Sequence, residues 1–293
     1  IACRPALDCE MDADAELQPT LLGQIAELTL LTLFVAVPLL LGCRKSVASW
    51  LKESSPFYLE GIQRDSPPGL SLAKLPHTAA YDLGATGILV GSQHLVGIFL
   101  CLPEVTRKVS KSWSAALIRH AALLGAAVGL VHVALALYSR KDAENGPKNM
   151  PLAVMVFIAG LHSLSIVTCI PMNLHYSTEY AYVLNVFGFH LSGFAANFLS
   201  PLAWTYDDSY LPSLPFLWLI SSFDVVIAAL VRGPLLLWSI VMLKRLWYLE
   251  GAWLMLLSGT LGTALTLPVT GILLMASLSR FRSLLGRAQI KDD

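Results

Sequence analysis

The sequence predicts an all-α protein, a polytopic bundle of transmembrane helices. Of its residues 55% are hydrophobic and only 14% are charged, whereas soluble domains average about 25% charged residues. The mean hydropathy is +0.63. Apolar runs also recur along the chain with about the length, roughly 20 residues, that a helix needs to cross the hydrocarbon of a bilayer. Most of the protein is therefore expected to lie in a lipid bilayer.

Seven apolar runs predict seven spans, with six or eight as alternatives. The spans are expected near residues 21–43, 83–103, 112–138, 151–172, 179–204, 215–243 and 251–278. Gly233 and Pro234 interrupt the sixth run. Because proline removes a backbone donor and kinks or breaks a helix, this run is predicted as one kinked helix, and two shorter spans are the alternative.

The chain divides into a tail, a membrane domain and a second tail. Residues 1–20 form an acidic extramembrane tail, residues 21–278 the transmembrane domain, and residues 279–293 the C-terminal tail. The long connection at residues 44–82 mixes aromatic and charged residues. It is predicted to lie at the membrane surface as an interfacial segment, with a solvated linker as the alternative.

The distribution of charge predicts the orientation and excludes one class of partner. If the N-terminus lies outside and there are seven spans, twelve lysines and arginines lie on the inner side and six on the outer side. The positive-inside rule therefore favours an outer N-terminus and an inner C-terminus. The formal net charge is zero, and no basic block is present that could follow a nucleic-acid backbone, so nucleic acid is not an expected partner.

A short histidine-bearing unit occurs twice within these apolar runs. Residues 94–103, His-Leu-Val-Gly-Ile-Phe-Leu-Cys-Leu-Pro, and residues 162–171, His-Ser-Leu-Ser-Ile-Val-Thr-Cys-Ile-Pro, share His, Ile, Cys and Pro at the same offsets, 68 residues apart. The match predicts a duplicated two-helix unit at about 83–138 and 151–204. Parallel repeats of this kind occur in transporter folds.

Four histidines are expected to share one depth in the membrane. With a rise of 1.5 Å per residue, His94, His162, His120 and His190 each lie about 12–17 Å from the outer ends of their predicted helices. An ionisable side chain within a span is expensive and counts as a functional-site hypothesis. The four imidazoles are therefore predicted to line an intramembrane site between spans two and five, and Arg119 lies beside His120.

Other polar residues within the spans need partners of their own. Asp224 and Arg232 are eight residues apart, about 12 Å along a helix, so each is expected to find its partner on another element. Asn185 and Asn197 are expected to form hydrogen bonds between helices. Glu27, near the outer end of the first span, is expected to extend its carboxylate to the interface.

Histidine on four consecutive helices resembles the six-helix dihaem cytochromes that carry electrons from ascorbate across membranes. The resemblance covers spans two to five, and it implies one pair of axial ligands at His94 and His162 and another at His120 and His190. In that family the two pairs lie toward opposite faces of the membrane, whereas these four residues lie on one side. A single bis-histidine haem, or another pigment or metal bound by histidine, fits that depth better.

A second resemblance concerns membrane enzymes of the lipid-synthase type, which keep histidines and an acid within a helical barrel. Tyr81-Asp82 and Ser177-Thr178-Glu179 resemble elements of these domains, although their adjacent pair of histidines is missing here. The leading functional hypothesis is binding or transport of a small ligand or cofactor at the histidine-lined site. An accessory subunit of a larger membrane complex, such as a bioenergetic one, and a membrane-embedded lipid-modifying enzyme are the alternatives.

Overall fold

A computed structural model describes residues 20–65, 77–106, 111–139, 152–207 and 210–289 of the chain. This described part is helical and contains no strand, which confirms the predicted all-α class. The long helices, together with one short helix that follows the first, are α1 (Leu21–Ser54), α2 (Tyr58–Asp65), α3 (His77–Val105), α4 (Lys111–Ser139), α5 (Leu152–His175), α6 (Tyr180–Ala203), α7 (Leu214–Leu249) and α8 (Trp253–Gln289).

Five helices are long and apolar enough to span a membrane. They are α1, α3, α6 and α7, together with residues Trp113–Leu135 of α4, and α8 contains a shorter apolar stretch at Trp253–Pro268. The remaining long helix, α5, covers the fourth apolar run of the sequence. These helices support an integral membrane protein, and the number of spans stays a prediction.

Several helices extend beyond the apolar runs that predicted them. Residues 44–54, placed in the connecting loop by the sequence, continue α1, and residues 279–289, placed in the C-terminal tail, continue α8. Hydropathy marks only the part of a helix that crosses the hydrocarbon. A helix forms its backbone hydrogen bonds internally, so it can continue into the membrane–water interface. Residues 1–19, the acidic tail apart from Thr20, lie outside the described residues.

Three of the long helices contain π-helical turns close to a proline. The turns lie at Thr32–Ala36 and Pro38–Gly42 in α1, Ala195–Leu199 in α6 and Ile227–Leu235 in α7. Proline has no N–H and its ring crowds the carbonyl four residues earlier, which a widened turn relieves. The predicted interruption at Gly233-Pro234 is therefore a π-helical turn, and α7 remains one continuous helix.

The long helices pack around α3. This helix contacts α1, α4 and α6, while α5 packs between α4 and α8, and α7 packs between α6 and α8. An aromatic and aliphatic core fills the end of the bundle predicted to lie outside, around Tyr182, Leu243 and Trp247. A second core at the other end surrounds Tyr58, the first residue of α2. Both ends of the bundle are thus fixed by packing, with the histidines between them.

The turn between α5 and α6 is tied to the turn between α7 and α8. The buried Tyr176 hydroxyl donates a hydrogen bond to a carboxylate oxygen of Glu250 at 2.5 Å, and the tyrosine ring makes an edge contact with Trp247. Burial, followed by the hydrogen bond to Glu250, raises the pKa of Tyr176 to about 12.

This pKa predicts how stability depends on pH at this end of the bundle. Because the folded pKa of Tyr176 lies above the unfolded value near 10, its contribution to stability is complete below pH 10 and is lost as the pH rises toward 12. We therefore expect Tyr176→Phe to remove part of the loss of stability between pH 10 and pH 12, measured by thermal unfolding across that range. An unchanged pH profile in this variant would contradict the assignment.

Candidate functional site

Two of the predicted histidines, His94 on α3 and His190 on α6, form a direct pair in the centre of the bundle. Their Nδ1 atoms are 3.0 Å apart, and Nε2 of His190 lies 3.1 Å from the carbonyl oxygen of Ala121 on α4. Both side chains are buried, His190 completely. The pair therefore joins three helices at one depth.

The carbonyl of Ala121 fixes which nitrogen of each ring carries a proton. A carbonyl only accepts, so Nε2–H of His190 is the donor, and the other nitrogen of this neutral imidazole, Nδ1, holds a lone pair. Nδ1–H of His94 must then donate to Nδ1 of His190. This order leaves the second ring nitrogen of His94, Nε2, as the acceptor at the end of the chain.

Two glycines make room for the paired rings. A Cβ atom on Gly193 of α6 would lie 2.3 Å from Nε2 of His94, and a Cβ atom on Gly97 of α3 would lie 2.3 Å from Nδ1 of His190. Each helix thus carries His-x-x-Gly, at 94–97 and at 190–193, and each histidine packs on the glycine of the other helix. This reciprocal pattern is visible in the sequence, since both histidines are followed by glycine at the third position.

A second histidine pair lies next to the first. His162 on α5 contacts His132 on α4, with ring centroids 5.2 Å apart, and a Cβ atom on Gly129 would lie 2.8 Å from Nδ1 of His162. Gly125, one turn before Gly129 on α4, lies against the first pair, since a Cβ atom there would be 3.4 Å from Cε1 of His190. Four histidines on α3, α4, α5 and α6 therefore do converge, but the member from α4 is His132, which the sequence analysis did not select.

His120, the member predicted from α4, lies elsewhere. Its Nδ1 is bonded to Oε1 of Glu27 on α1, and its side chain is about half exposed, with 52% of its surface accessible. Glu27 therefore has a side-chain partner, where the sequence predicted that it reaches the interface. Depth alone does not decide which helix a side chain faces. His120 and His132 are twelve residues apart on α4, which rotates one side chain by about 120° relative to the other, so His120 points away from the face that carries His132.

A stripe on α4 could have identified His132. Ala121, Gly125, Gly129 and His132 are spaced by four, four and three residues, which places them on one helix face. This face supplies the carbonyl and the small residues that contact His190 and His162. The position of a residue around the helix axis, considered together with its depth, predicts that His132 joins the centre.

The two pairs connect the halves of the predicted repeat in a crossed manner. His94, in the first helix of the first unit, contacts His190 in the second helix of the second unit, and His162 contacts His132 in the converse arrangement. The 68-residue offset would place Ala122, not His132, opposite His190. The partners therefore occupy different positions in the two units, and the duplication stays a prediction.

A buried amide network lies between the histidine centre and the turn that joins α5 and α6. Asn173 on α5, which has no exposed surface, donates to Oε1 of Gln24 at 3.0 Å and to the carbonyl of Arg119 at 3.2 Å, and it accepts from the Tyr182 hydroxyl at 2.8 Å. The guanidinium of Arg119 lies 3.5 Å from the hydroxyl of Ser177 in the turn after α5. Arg119 thus points to the turn between α5 and α6 and not into the histidine centre.

Asp224 and Arg232 on α7 have separate partners, as their spacing predicted. Oδ2 of Asp224 accepts from the Ser277 hydroxyl on α8 at 2.5 Å, and Nη2 of Arg232 donates to the carbonyl of Ser192 on α6 at 2.6 Å. The predicted interhelical hydrogen bond of an asparagine is found at Asn185, which donates to Ser239 on α7.

Asn197 behaves differently from its prediction. Its amide donates to the carbonyl of Gly193, four residues earlier on the same helix, at 3.0 Å. This carbonyl lies directly before the π-helical turn Ala195–Leu199, where the hydrogen-bonding register of α6 changes. The amide therefore supports its own helix at the turn, instead of joining α6 to a neighbour.

The placed residues do not fit a haem held by two histidines. Axial imidazoles must bind the iron from the two faces of the macrocycle, whereas His94 and His190 contact each other directly, with nitrogens 3.0 Å apart. His132 and His162 are likewise in ring contact. Within the described parts of the chain, no group of three or more His, Cys, Asp or Glu residues could hold a metal ion. The chemistry of the centre is thus that of hydrogen-bonded imidazoles.

Comparison of the chain with known protein families, with curated proteins and with solved structures finds no match.

Proposed function

We propose that this membrane protein binds or transports a small ligand at the histidine centre, and that the ligand donates a hydrogen bond to Nε2 of His94. The observation that carries the proposal is the directed chain from His94 through His190 to the Ala121 carbonyl. This chain presents one imidazole acceptor within the membrane, where no bulk water competes for it. Interior ionisable residues mark substrate and ion pathways in membrane proteins.

The neighbouring residues favour a small polar group as the ligand. Nε2 of His94 lies close to the backbone of α6 at Gly193, so only a small group can reach it. Phe189 makes an edge contact with the same ring. His132 lies in the same centre, and its Nδ1 is buried without a hydrogen-bond partner among the described residues. Two imidazole nitrogens are thus available to a ligand with hydrogen-bonding groups.

The experiment compares small molecules that copurify with wild-type protein and with His94→Gln. Organic and aqueous extracts of both purified proteins are analysed by mass spectrometry, and any compound enriched in the wild type is then offered in labelled form to proteoliposomes. We expect at least a tenfold loss of the compound in His94→Gln, because the loss of one buried hydrogen-bond partner costs about 1–3 kcal/mol of binding free energy. His175→Gln is the matched control, since His175 is exposed at the outer end of α5.

Identical extracts from wild type, His94→Gln and His175→Gln, with equal uptake of every labelled compound, would reject the ligand site. Loss of the compound in both variants would point to a general effect of histidine substitution. Only a loss confined to His94→Gln supports the proposal.

A role as an accessory subunit is the second candidate, and it is favoured by the pair of His120, which is exposed, and Glu27, which is half-buried. These polar side chains lie at the outer surface of α1 and α4, within the apolar length of both helices, where contact with lipid is costly. A neighbouring subunit would remove them from lipid. Isolation of the protein in a mild detergent, followed by native mass spectrometry, tests this role, because a subunit copurifies with partners in fixed ratio and an independent protein does not.

A further inference from the structure

The carboxylate of Asp224 is buried in the bundle with most of its hydrogen-bonding capacity unused. Only 4% of the residue is exposed. Oδ2 accepts one hydrogen bond, from Ser277 on α8, and Oδ1 has no hydrogen-bond partner among the described residues. An ionised carboxylate offers about four acceptor positions, and its burial is costly unless these are filled or the charge is paired. Something beyond the described side chains is needed here.

A second unpartnered oxygen lies one turn away on the same helix. Ser221 precedes Asp224 by three residues, a spacing that makes the two side chains neighbours on one helix face. Ser221 is 1% exposed, and its hydroxyl also has no partner among the described residues. Together with the Ser277 hydroxyl, the site offers one carboxylate and two hydroxyl oxygens between α7 and α8.

Arg232 does not fill this site. Its guanidinium donates to the Ser192 carbonyl on α6, and no ion pair in the described part of the chain joins it to Asp224. The two charges still attract each other through space. Arg232 therefore stabilises the carboxylate of Asp224 from a distance and leaves its oxygens available.

We propose that Asp224, Ser221 and Ser277 bind a small monovalent metal cation, with Na⁺ as the probe. The three groups supply only oxygen, the ligand type that hard cations prefer. Ca²⁺ typically takes six to eight oxygen ligands, and three groups with a single negative charge provide too few ligands and too little charge for it. The π-helical turn Ile227–Leu235 begins three residues after Asp224, and such turns occur frequently at functional sites. No histidine takes part, so the site goes beyond the proposed function and does not depend on it.

The first experiment measures thermal unfolding of the purified full chain in an uncharged detergent. NaCl is raised to 200 mM against choline chloride at constant ionic strength, about 200 mM in total, so that only the cation changes. A ligand that binds the folded state stabilises it in proportion to its concentration over its dissociation constant, and we expect a rise in Tm of about 2–4 °C. Direct binding of ²²Na⁺ by equilibrium dialysis gives the stoichiometry, expected to be near one.

Variants assign the effect to the named oxygens. We expect Asp224→Asn to abolish the response to Na⁺ and Ser221→Ala to weaken it at least threefold in half-saturating concentration, an effect on the order of one lost ligand. Ser258→Ala is the matched control, because Ser258 is also a buried serine on α8 but lies 19 residues from Ser277. Its response should equal that of the wild type.

Arg232→Gln provides a test with the opposite sign. Because Arg232 attracts the same carboxylate and repels a bound cation, its removal should lower the half-saturating concentration of Na⁺ while it reduces stability in choline chloride. If Asp224→Asn does not fold, Ser221→Ala and Arg232→Gln still decide the question. The cation site would be overturned by an equal Tm in Na⁺ and in choline, or by a Tm that changes with pH alone, and both results would favour a bound water or proton. Full binding of Na⁺ by Asp224→Asn would also overturn it.

Discussion

Substitution of His190 by alanine is expected to lower the free energy of unfolding by at least about 3 kcal/mol. The change removes a fully buried ring and both of its hydrogen bonds. Large-to-small substitution in a core costs about 2–5 kcal/mol, and the Nδ1–H of His94 is left without its acceptor, which adds about 1–3 kcal/mol. Equilibrium unfolding in mixed detergent and denaturant provides the measurement.

A double-mutant cycle tests whether His94 and His190 act as a pair. Because the second substitution finds its partner already gone, His94→Leu together with His190→Ala should be less destabilising than the sum of the single changes, by about 0.5–3 kcal/mol. His94→Leu with His120→Leu is the control cycle, since His120 has its own partner, Glu27. Additivity within about 0.5 kcal/mol in both cycles would contradict the hydrogen bond between the rings.

The second large effect is expected at Gly193. A methyl group there would lie 2.3 Å from Nε2 of His94 and within 2.5 Å of two of its ring carbons. The ring cannot move aside easily, because His190 holds one edge and Phe189 packs against it. Overpacking of this kind costs about 1–3 kcal/mol or more, so we expect Gly193→Ala to reduce the Tm clearly.

The matched control is Gly262→Ala on α8, where an added Cβ would meet no atom within 4 Å. Alanine is favoured over glycine in a helix by about 1 kcal/mol, so this variant should be neutral or stabilised. In a His94→Ala background, Gly193→Ala should cost less stability than it does in the wild type, because the ring that clashes is absent. A Gly193→Ala protein as stable as Gly262→Ala would show that α3 and α6 do not approach as closely as described.

Much of the fold could be predicted because lipid imposes simple constraints. Every backbone polar group in the hydrocarbon must be satisfied within its own segment, so long apolar runs had to be helices. The predicted runs match the apolar parts of α1, α3, α4, α6 and α7. The ends were less predictable, as at residues 44–54 of α1, because past the hydrocarbon the hydropathy no longer marks where a helix stops.

The candidate site was predictable in its layer and in three of its four histidines. His94, His190 and His162 lie in the centre, since burial within the bundle is the general alternative to costly contact with lipid. His120 and His132 show the limit of depth as a criterion. Both lie on α4, but only the rotation around the helix axis decides which of them faces α5 and which faces α1.

The class of this protein, a helical membrane protein with ionisable residues inside its apolar segments, thus follows from its sequence. Apolar length and histidine content are properties of single segments, and they persist whatever the neighbours are. The pairing of His94 with His190, the role of His132 and the identity of the partners of Asp224 and Arg232 were decided by the packing of the helices. Each depends on which helix faces meet, and this follows from packing among segments far apart in sequence, where glycines such as Gly97 and Gly193 allow close approach.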